Sequence, residues 1–403
     1  MGYPPQPLPE PLRGSETGSF AHHTVSVRLA RIARRTLEEN SFPRETVARI
    51  EDLIQELPNA TIRPLEDSEA PDTVDWQNYL ATYTGFSWLD IPWFFAEAYF
   101  YRRMLEATGY FSPGQGEGQD PFTYQKHTGL EDVEPGIVAL VEDITSLEKS
   151  RKEEGSILTW LISSALWGNQ VDLSIWPAGG SGGPRHASTR QAQEHLLVDN
   201  TSEVVTLIAR FNNENRLDFL IDNAGFELVC DLLLSDYLLE QGLVKTVRLH
   251  VKPHPTFVSD AMIKDVIQTV AFLQKIPSRV VNAFATRLDA AIRQNRLQLN
   301  THFFWTSPLP LWQMPAELYQ ELSAASLVIS KGDANYRRSL GDLHWPFSKP
   351  IEEIAGYFPT HLLLLRTLKS EVVAGLQPGQ AEQLANDDPK WMTNGRWGII
   401  QFI

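Results

Sequence analysis

Cysteine is almost absent from this sequence of 403 residues, which contains only Cys230. A single thiol excludes any disulfide bond within the chain. Cys230 falls on the apolar stripe of a predicted helix, a position that indicates a small buried side chain rather than a catalytic thiol. Neither disulfide chemistry nor thiol catalysis is therefore expected.

Basic residues and long hydrophobic runs are also scarce. Lysine and arginine total 35 against 50 acidic residues, which gives a formal net charge of −15. This balance argues against a nucleic-acid binder, which needs a basic face. No run approaches the roughly 20 apolar residues that cross a bilayer. We expect a monomeric protein without a membrane partner, located in the cytoplasm, with the nucleus as a second location.

The sequence does contain enough apolar material for a large core, since 42% of its residues are hydrophobic and 10% are aromatic. We divide it into a disordered, proline-rich tail (1–18), a helical domain (19–190) and an α/β/α catalytic domain (191–403). Apolar residues recur three and four positions apart up to about residue 166. The glycines at 179–183 lack the Lys-Ser/Thr of a phosphate loop and indicate a flexible connector.

The last 200 or so residues alternate between strand and helix patterns. We predict strands at 217–221, 244–251, 326–329, 361–365 and, at the end of the chain, 397–403. Helices are expected at 226–241 and across 261–293. Apolar strands separated by helices predict a mainly parallel sheet that is covered on both faces. Right-handed crossovers then bring the carboxyl ends of the parallel strands to one edge.

Four polar clusters follow four of these predicted strands. They are Asp222-Asn223, the loop 257–260 that ends in Asp260, the segment 331–337, and the segment 366–369. Ligands of open α/β sheets bind outside the carboxyl ends of the strands. The four clusters are therefore expected to meet at one binding edge.

The oxygen-bearing members of these clusters suit a hard divalent cation. Two carboxylates and an amide oxygen, from Asp222, Asp260 and Asn223, favour Mg²⁺ or Mn²⁺ and leave coordination positions for water and substrate. An Asp-Asn pair after a strand is also a common helix N-cap, and Asp260 is equally placed to cap the next helix. These structural alternatives stay open at this point.

The cationic members of the clusters suit a phosphate group. Lys369 and Arg337 supply positive charge, and the helix that opens after Gly225 supplies backbone N–H groups. Asp333 and Asn335 are candidates to bind sugar hydroxyls. A surface salt bridge of Arg366 or Lys369, which would contribute little, is the alternative for these two side chains.

The motifs resemble those of the DUF89 family, the damage-control phosphatase or ARMT1-like proteins. The resemblance runs from about residue 20 to the C-terminus and includes an Arg-Thr-x-Lys mark of the sugar-phosphate-active subgroup. The motifs that carry it are 221–227 (IDNAGFE), 257–260 (FVSD), 332–337 (GDANYR), 366–369 (RTLK) and 166–174 (LWGNQVDLS). Ala334 stands where the family pattern has a bulkier leucine, which would alter the shape of the pocket.

The resemblance implies an α/β/α core with a helical N-terminal domain. It also implies a divalent metal, Mg²⁺, Mn²⁺, Co²⁺ or Ni²⁺, held by Asp222, Asn223 and Asp260, of which Asp222 or Asp260 is catalytic. A small-molecule phosphate ester similar to fructose 1-phosphate is the implied substrate. Its expected contacts are Asn169, Glu227, Asp333, Asn335, Tyr336, Arg337 and Lys369.

Three functions are consistent with these residues. Metal-dependent hydrolysis of a phosphomonoester is the first, and either a carboxylate or a water molecule can act as the nucleophile. The alternative is S-adenosylmethionine-dependent methylation of protein carboxylates, which the resemblance also allows and in which Glu227 is a candidate contact. The third is a metabolite-binding module that uses the same pocket without turnover.

Overall fold

A computed structural model of the protein describes residues 2–150, 153–168 and 194–403. Before the sheet begins, the helices of the described chain are Phe20–His23, Leu29–Glu39, Arg44–Glu56, Thr73–Ala81, Trp93–Thr108, Thr123–Glu131, Glu134–Lys149 and Glu154–Trp167. A π-helical turn, Thr24–Arg28, joins the first two of them. The later helices are Thr201–Ile208, Phe226–Glu240, Ile263–Leu273, Arg279–Arg293, Ala316–Ser323, Gly332–Leu340, Ile351–Ala355 and Gln380–Asp387. None of the described helices is long and apolar enough to cross a membrane.

Seven strands form one sheet in the order β1-β7-β6-β5-β2-β3-β4. They are β1 (Leu196–Asp199), β2 (Arg216–Leu220), β3 (Thr246–Val251), β4 (Leu297–Thr301), β5 (Leu327–Lys331), β6 (Leu362–Thr367) and β7 (Gly398–Phe402). All neighbouring strands are parallel except β6 and β7. The expected α/β fold with a mainly parallel sheet is confirmed.

The sheet separates two hydrophobic cores because successive strand residues point to opposite faces. In β2, Leu220 joins a core shared with the N-terminal helices, whereas Phe219 joins the core on the other face. Helices Glu134–Lys149 and Glu154–Trp167 also contribute to that second core. Each core thus contains residues from before and after position 190, the boundary that we expected between the two domains. The helices Glu134–Lys149 and Glu154–Trp167 pack on one face of the sheet.

The structure differs from the expectation of a disordered tail at residues 1–18. Leu12 is 2% exposed and belongs to the first core. Its backbone N–H donates to the carbonyl of Asp342, and its own carbonyl accepts from the N–H of Trp93. The segment is held because one apolar side chain and its backbone groups find partners, despite the polar, proline-rich composition around them.

Two strands and one helix break were not predicted from the sequence. Strands β1 and β4 lie at the two edges of the sheet and are only partly buried, so they lack a clear apolar pattern. The helical stretch expected at 261–293 is two helices separated around Pro277, whose ring cannot continue a helix. Cys230 is buried, and burial raises the pKa of its thiol, which makes it unreactive.

Candidate active site

The two aspartates predicted to bind metal lie in neighbouring segments, Asp222 just after β2 and Asp260 in the loop that follows β3. The N–H of Ala261 donates to the carbonyl of Asp222 at 2.8 Å, and the N–H of Ala224 donates to the carbonyl of Ser259 at 2.8 Å. These bonds pair the segment after β2 with the segment that contains Asp260. Asp222 is 5% exposed and Asp260 is 1% exposed. The fold therefore buries two carboxylates in one place.

Burial and mutual repulsion shape the electrostatics of this pair. Burial raises the pKa of Asp222 well above its ordinary value, and the carboxylates of Asp260 and Glu227 raise it further. Lys252 and Lys369 oppose this shift. Burial also raises the pKa of Asp260, against the charge of Lys252. A cation at this position would stabilise both carboxylates in their ionised form.

Asn223 is held between three polar side chains. Its Nδ2 donates to Asp222 Oδ2 at 2.9 Å and to Glu227 Oε2 at 2.8 Å, and its Oδ1 accepts from the Ser259 hydroxyl at 2.5 Å. Glu227 in turn accepts from Lys331 Nζ at 3.1 Å. Both carboxylate oxygens of Glu227 are thus engaged by protein groups, and this buried side chain orients Asn223.

The residues present fit a hard divalent cation. Among the described residues, Asp260 Oδ2 is buried with no hydrogen bond beyond its ion pair with Lys252 at 3.2 Å, and Asn223 Oδ1 keeps a second lone pair beside its bond to Ser259. No three His, Cys, Asp or Glu side chains of the described residues are grouped to hold a metal. Two carboxylates and one amide oxygen leave several coordination positions to water or substrate, as is usual for Mg²⁺.

The residue that follows β5 packs against the carboxylate of Asp222. Gly332 has a φ of +81°, and a Cβ atom built on it would lie 1.9 Å from Asp222 Oδ2. Only a residue without a side chain fits there. Gly332 opens the helix Gly332–Leu340, whose first turn has no side-chain cap. Among the described residues, the first N–H groups of this helix have no side-chain cap, and they begin at the glycine that packs against Asp222.

Asp333 and Lys369 complete this side of the site. Asp333 Oδ1 accepts from Arg366 Nε at 2.8 Å, from the Ser370 hydroxyl at 2.9 Å and from the Lys369 N–H at 3.3 Å. Burial alone would raise the pKa of Asp333, but the charges of Arg366 and Arg337 hold it below its ordinary value. Asp333 is therefore an ionised acceptor.

The Lys369 side chain is half-buried, and its charge acts on Asp222. Its ammonium has no hydrogen bond or salt bridge to any side chain that the structure describes. Among these residues Lys369 thus forms no salt bridge, whereas Arg366, the other side chain considered for one, is buried and pairs with Asp333. Lys369 is a cation available to a ligand beside the aspartate pair.

Three other residues predicted to contact the substrate, Asn335, Tyr336 and Arg337, instead form hydrogen bonds with other parts of the protein. Asn335 Nδ2 donates to the carbonyls of Leu220, Ile221 and Lys331, which places the side chain beneath the site. The Tyr336 hydroxyl donates to Gln401 Oε1 at 3.1 Å. These contacts support the strand ends rather than point to the space around the two aspartates.

Arg337 is likewise committed to a buried ion-pair network. Its Nη1 donates to Glu97 at 2.6 Å, and its Nε donates to Asp342 at 2.7 Å. The guanidinium also lies over the ring of Trp93 at 3.7 Å. The structure therefore places this arginine between the helical region and the sheet. Asn169, the remaining predicted contact, lies outside the described residues.

Sequence reasoning missed Lys252, which follows β3 directly. Its Nζ donates to the carbonyl of Ile221 at 3.0 Å and lies 3.2 Å from Asp260 Oδ2. The available signal was a lone lysine at the end of an apolar strand. The strain in the loop before Asp260 was also missed, since Phe257 and Val258 have positive φ values of 45° and 66°.

Comparisons with known proteins identify the family of this chain. The family model for the damage-control phosphatase ARMT1-like domain matches residues 24–384. The damage-control phosphatase ARMT1 of Mus musculus is 31% identical over 433 residues, which cover 97% of this chain and 98% of the relative. The protein of that name from Danio rerio is 32% identical over 437 residues, with 98% and 97% covered. A solved DUF89 family protein from Pyrococcus horikoshii shares 13% identity at a TM-score of 0.48, with 93% of this chain and 95% of that chain covered, a likeness too weak to bear on function. The chain belongs to the damage-control phosphatase ARMT1-like family.

Proposed function

We propose that this protein hydrolyses phosphomonoesters with a divalent metal ion bound by Asp222, Asn223 and Asp260. The observation that carries the proposal is a pair of buried carboxylates, Asp222 and Asp260, in two segments that backbone hydrogen bonds hold together beyond β2 and β3. The relatives named damage-control phosphatases support the same reaction class. A bound ion would polarise a phosphoryl oxygen and orient a water molecule.

The side chains around the pair have distinct tasks in this reaction. Lys369 neutralises negative charge on the phosphoryl group, since its ammonium is free among the described residues and its charge reaches Asp222. The uncapped first turn of helix Gly332–Leu340 adds backbone N–H donors and the positive end of a helix dipole. Both features favour an anionic group next to the metal ligands.

The substrate class that we propose is a sugar phosphate, with fructose 1-phosphate as the first example. Asp333 supports this choice because its three hydrogen bonds all go to Oδ1. Its Oδ2 remains able to accept from a sugar hydroxyl, and its lowered pKa keeps it ionised. A hydroxyl-bearing substrate would thus be held by Asp333 while its phosphate faces Lys369.

Phosphate release from a panel of sugar phosphates, with Mg²⁺, Mn²⁺, Co²⁺ and Ni²⁺ supplied in turn, tests the proposal. Asp260→Asn should lower kcat/KM by about 100-fold or more, because it removes a metal ligand. Lys369→Met should raise KM by roughly 10-fold to 100-fold, the value of one charge-assisted hydrogen bond. Lys245→Met is the control, since Lys245 is exposed and pairs only at the surface with Glu214.

The absence of phosphate release under every combination of metal and substrate would count against the reaction class. Full activity in Asp260→Asn would count against the metal site even if the enzyme is a phosphatase. A Lys245→Met variant as impaired as Lys369→Met would show that loss of any lysine charge explains the effect.

A further inference from the structure

Lys252 is a buried cation that contacts both strand ends of the proposed metal site. It is 3% exposed and follows β3 directly. Its ammonium donates to the carbonyl of Ile221, the residue before Asp222, at 3.0 Å. The same ammonium pairs with Asp260 Oδ2 at 3.2 Å, and this buried oxygen has no hydrogen bond beyond that ion pair among the described residues. One side chain therefore ties the two metal-binding segments together.

The charges around the aspartate pair show why such a cation is needed. Asp222, Asp260 and Glu227 bring three carboxylates into one buried region. Lys331 is already shared between Glu227 and Asp231, at 3.1 Å and 2.8 Å. Lys369 is half-buried and makes no direct contact with either aspartate. Lys252 is the described cation within ion-pair distance of Asp260, on which Lys126 and Arg338 act from farther away.

Uncompensated buried carboxylates destabilise a fold strongly, so the metal-free protein needs a cation at this place. The ion pair with Asp260 meets this need and occupies one acceptor site of a carboxylate that has about four. A divalent ion can therefore still bind a remaining lone pair of that carboxylate.

We propose that Lys252 is a positioning residue that substitutes for the metal ion in the metal-free protein and keeps the aspartate pair formed. The inference rests on the proposed function, because it presupposes that Asp222 and Asp260 bind the ion. In the wild type, the metal finds a preformed site. Without Lys252, the metal becomes the main source of positive charge between the two strand ends.

Thermal unfolding of metal-free protein and of the same protein with millimolar Mn²⁺ or Mg²⁺ tests this role without measuring activity. Lys252→Met should lower the Tm of the metal-free protein by about 5 °C, and metal should restore at least half of that loss. The metal-induced rise in Tm should thus be larger in the variant than in the wild type. Lys252→Arg, which keeps the charge, should recover part of the metal-free stability.

Arg102→Met is the matched control. Arg102 is also buried and also bridges two carboxylates, those of Asp67 at 2.8 Å and Asp72 at 2.8 Å. Its loss should lower the Tm, but metal should restore none of the difference, because the orphaned carboxylates are not the metal ligands. A restoration as large as in Lys252→Met would overturn the inference.

The outcomes separate this inference from the proposed function. A wild type whose Tm responds to no metal would overturn both. A wild type that responds, together with a Lys252→Met variant whose metal-induced rise is no larger, would overturn the inference alone. If Lys252→Met does not fold, the double variant Lys252→Met/Asp260→Asn decides, because removing the carboxylate should restore folding. A double variant that also fails to fold would refute the role of Lys252 as a substitute for the metal.

Discussion

Gly332→Ala is expected to disable the site while leaving the fold intact. Gly332 has a φ of +81°, and an added Cβ would lie 1.9 Å from Asp222 Oδ2 and 2.3 Å from its Cγ. An ordinary contact begins at 3.4 Å. The carboxylate would therefore have to move by about 1.5 Å, or the start of the helix Gly332–Leu340 would have to shift by a similar distance.

Two costs follow from this change and can be told apart. The left-handed backbone conformation disfavours alanine by about 1–2 kcal/mol, which lowers stability modestly. Displacing a metal ligand by about 1 Å lowers activity by roughly 100-fold. Gly379→Ala isolates the first cost, because Gly379 has a φ of +80° and no atom within 4 Å of an added Cβ.

The measurements are the metal-induced rise in Tm and the rate of phosphate release for both alanine variants. Gly332→Ala should lose most of the metal response and about 100-fold in kcat/KM. Gly379→Ala should lose only stability. Wild-type kinetics and metal response in Gly332→Ala, or an equal loss of activity in Gly379→Ala, would refute the steric reasoning.

Three further predictions address side chains outside the aspartate pair. Arg337→Met should lower the free energy of unfolding by about 3–5 kcal/mol in chemical denaturation, because Glu97 and Asp342 stay buried without their partner; a raised KM at unchanged stability would instead indicate a phosphate contact. Asn335→Leu should cost about 1–3 kcal/mol, because three carbonyls lose a donor, with KM for the phosphate ester unchanged; a sugar contact would give the reverse result in the same assays. Burial lowers the pKa of His254 from 6.5 to about 4, so this side chain destabilises the folded state as the pH falls below 6.5. Between neutral pH and about pH 4.5, the free energy of unfolding of His254→Gln should therefore fall by about 2.5 kcal/mol less than that of the wild type, as measured by denaturation at each pH. Identical pH profiles would contradict this.

The sheet and its binding edge could be predicted because they depend on patterns that are local in sequence. Apolar runs that stop at polar clusters predicted β2, β3, β5 and β6, and parallel topology then required their ends to meet. Asp222 lies at this edge for that reason, whereas Asp260 reaches it because its loop pairs with the segment after β2. Edge strands β1 and β4 were not predicted, because a half-buried edge has no strong apolar pattern.

The direction of individual side chains could not be predicted in the same way. Asp333 and Arg337 lie four residues apart in one helix, yet Asp333 contacts the Lys369 loop whereas Arg337 is bound by Glu97 of the helical region. A sequence shows that a cation is near the strand end but not which acid will bind it. Lys252 was missed for a related reason, because its contacts with Ile221 and Asp260 depend on the path of two loops.

The helix Gly332–Leu340 connects the stability of the helical region to the geometry of the site. Its first residue lies against Asp222, and its sixth residue, Arg337, is fixed by Glu97 of helix Trp93–Thr108. Loosening the Arg337 network would release the end of the helix that sets the position of Gly332. Because the space between Gly332 and Asp222 admits no additional atom, even a small shift of this helix would move the carboxylate. The helical region therefore supports the site through one helix, although it supplies none of the proposed metal ligands.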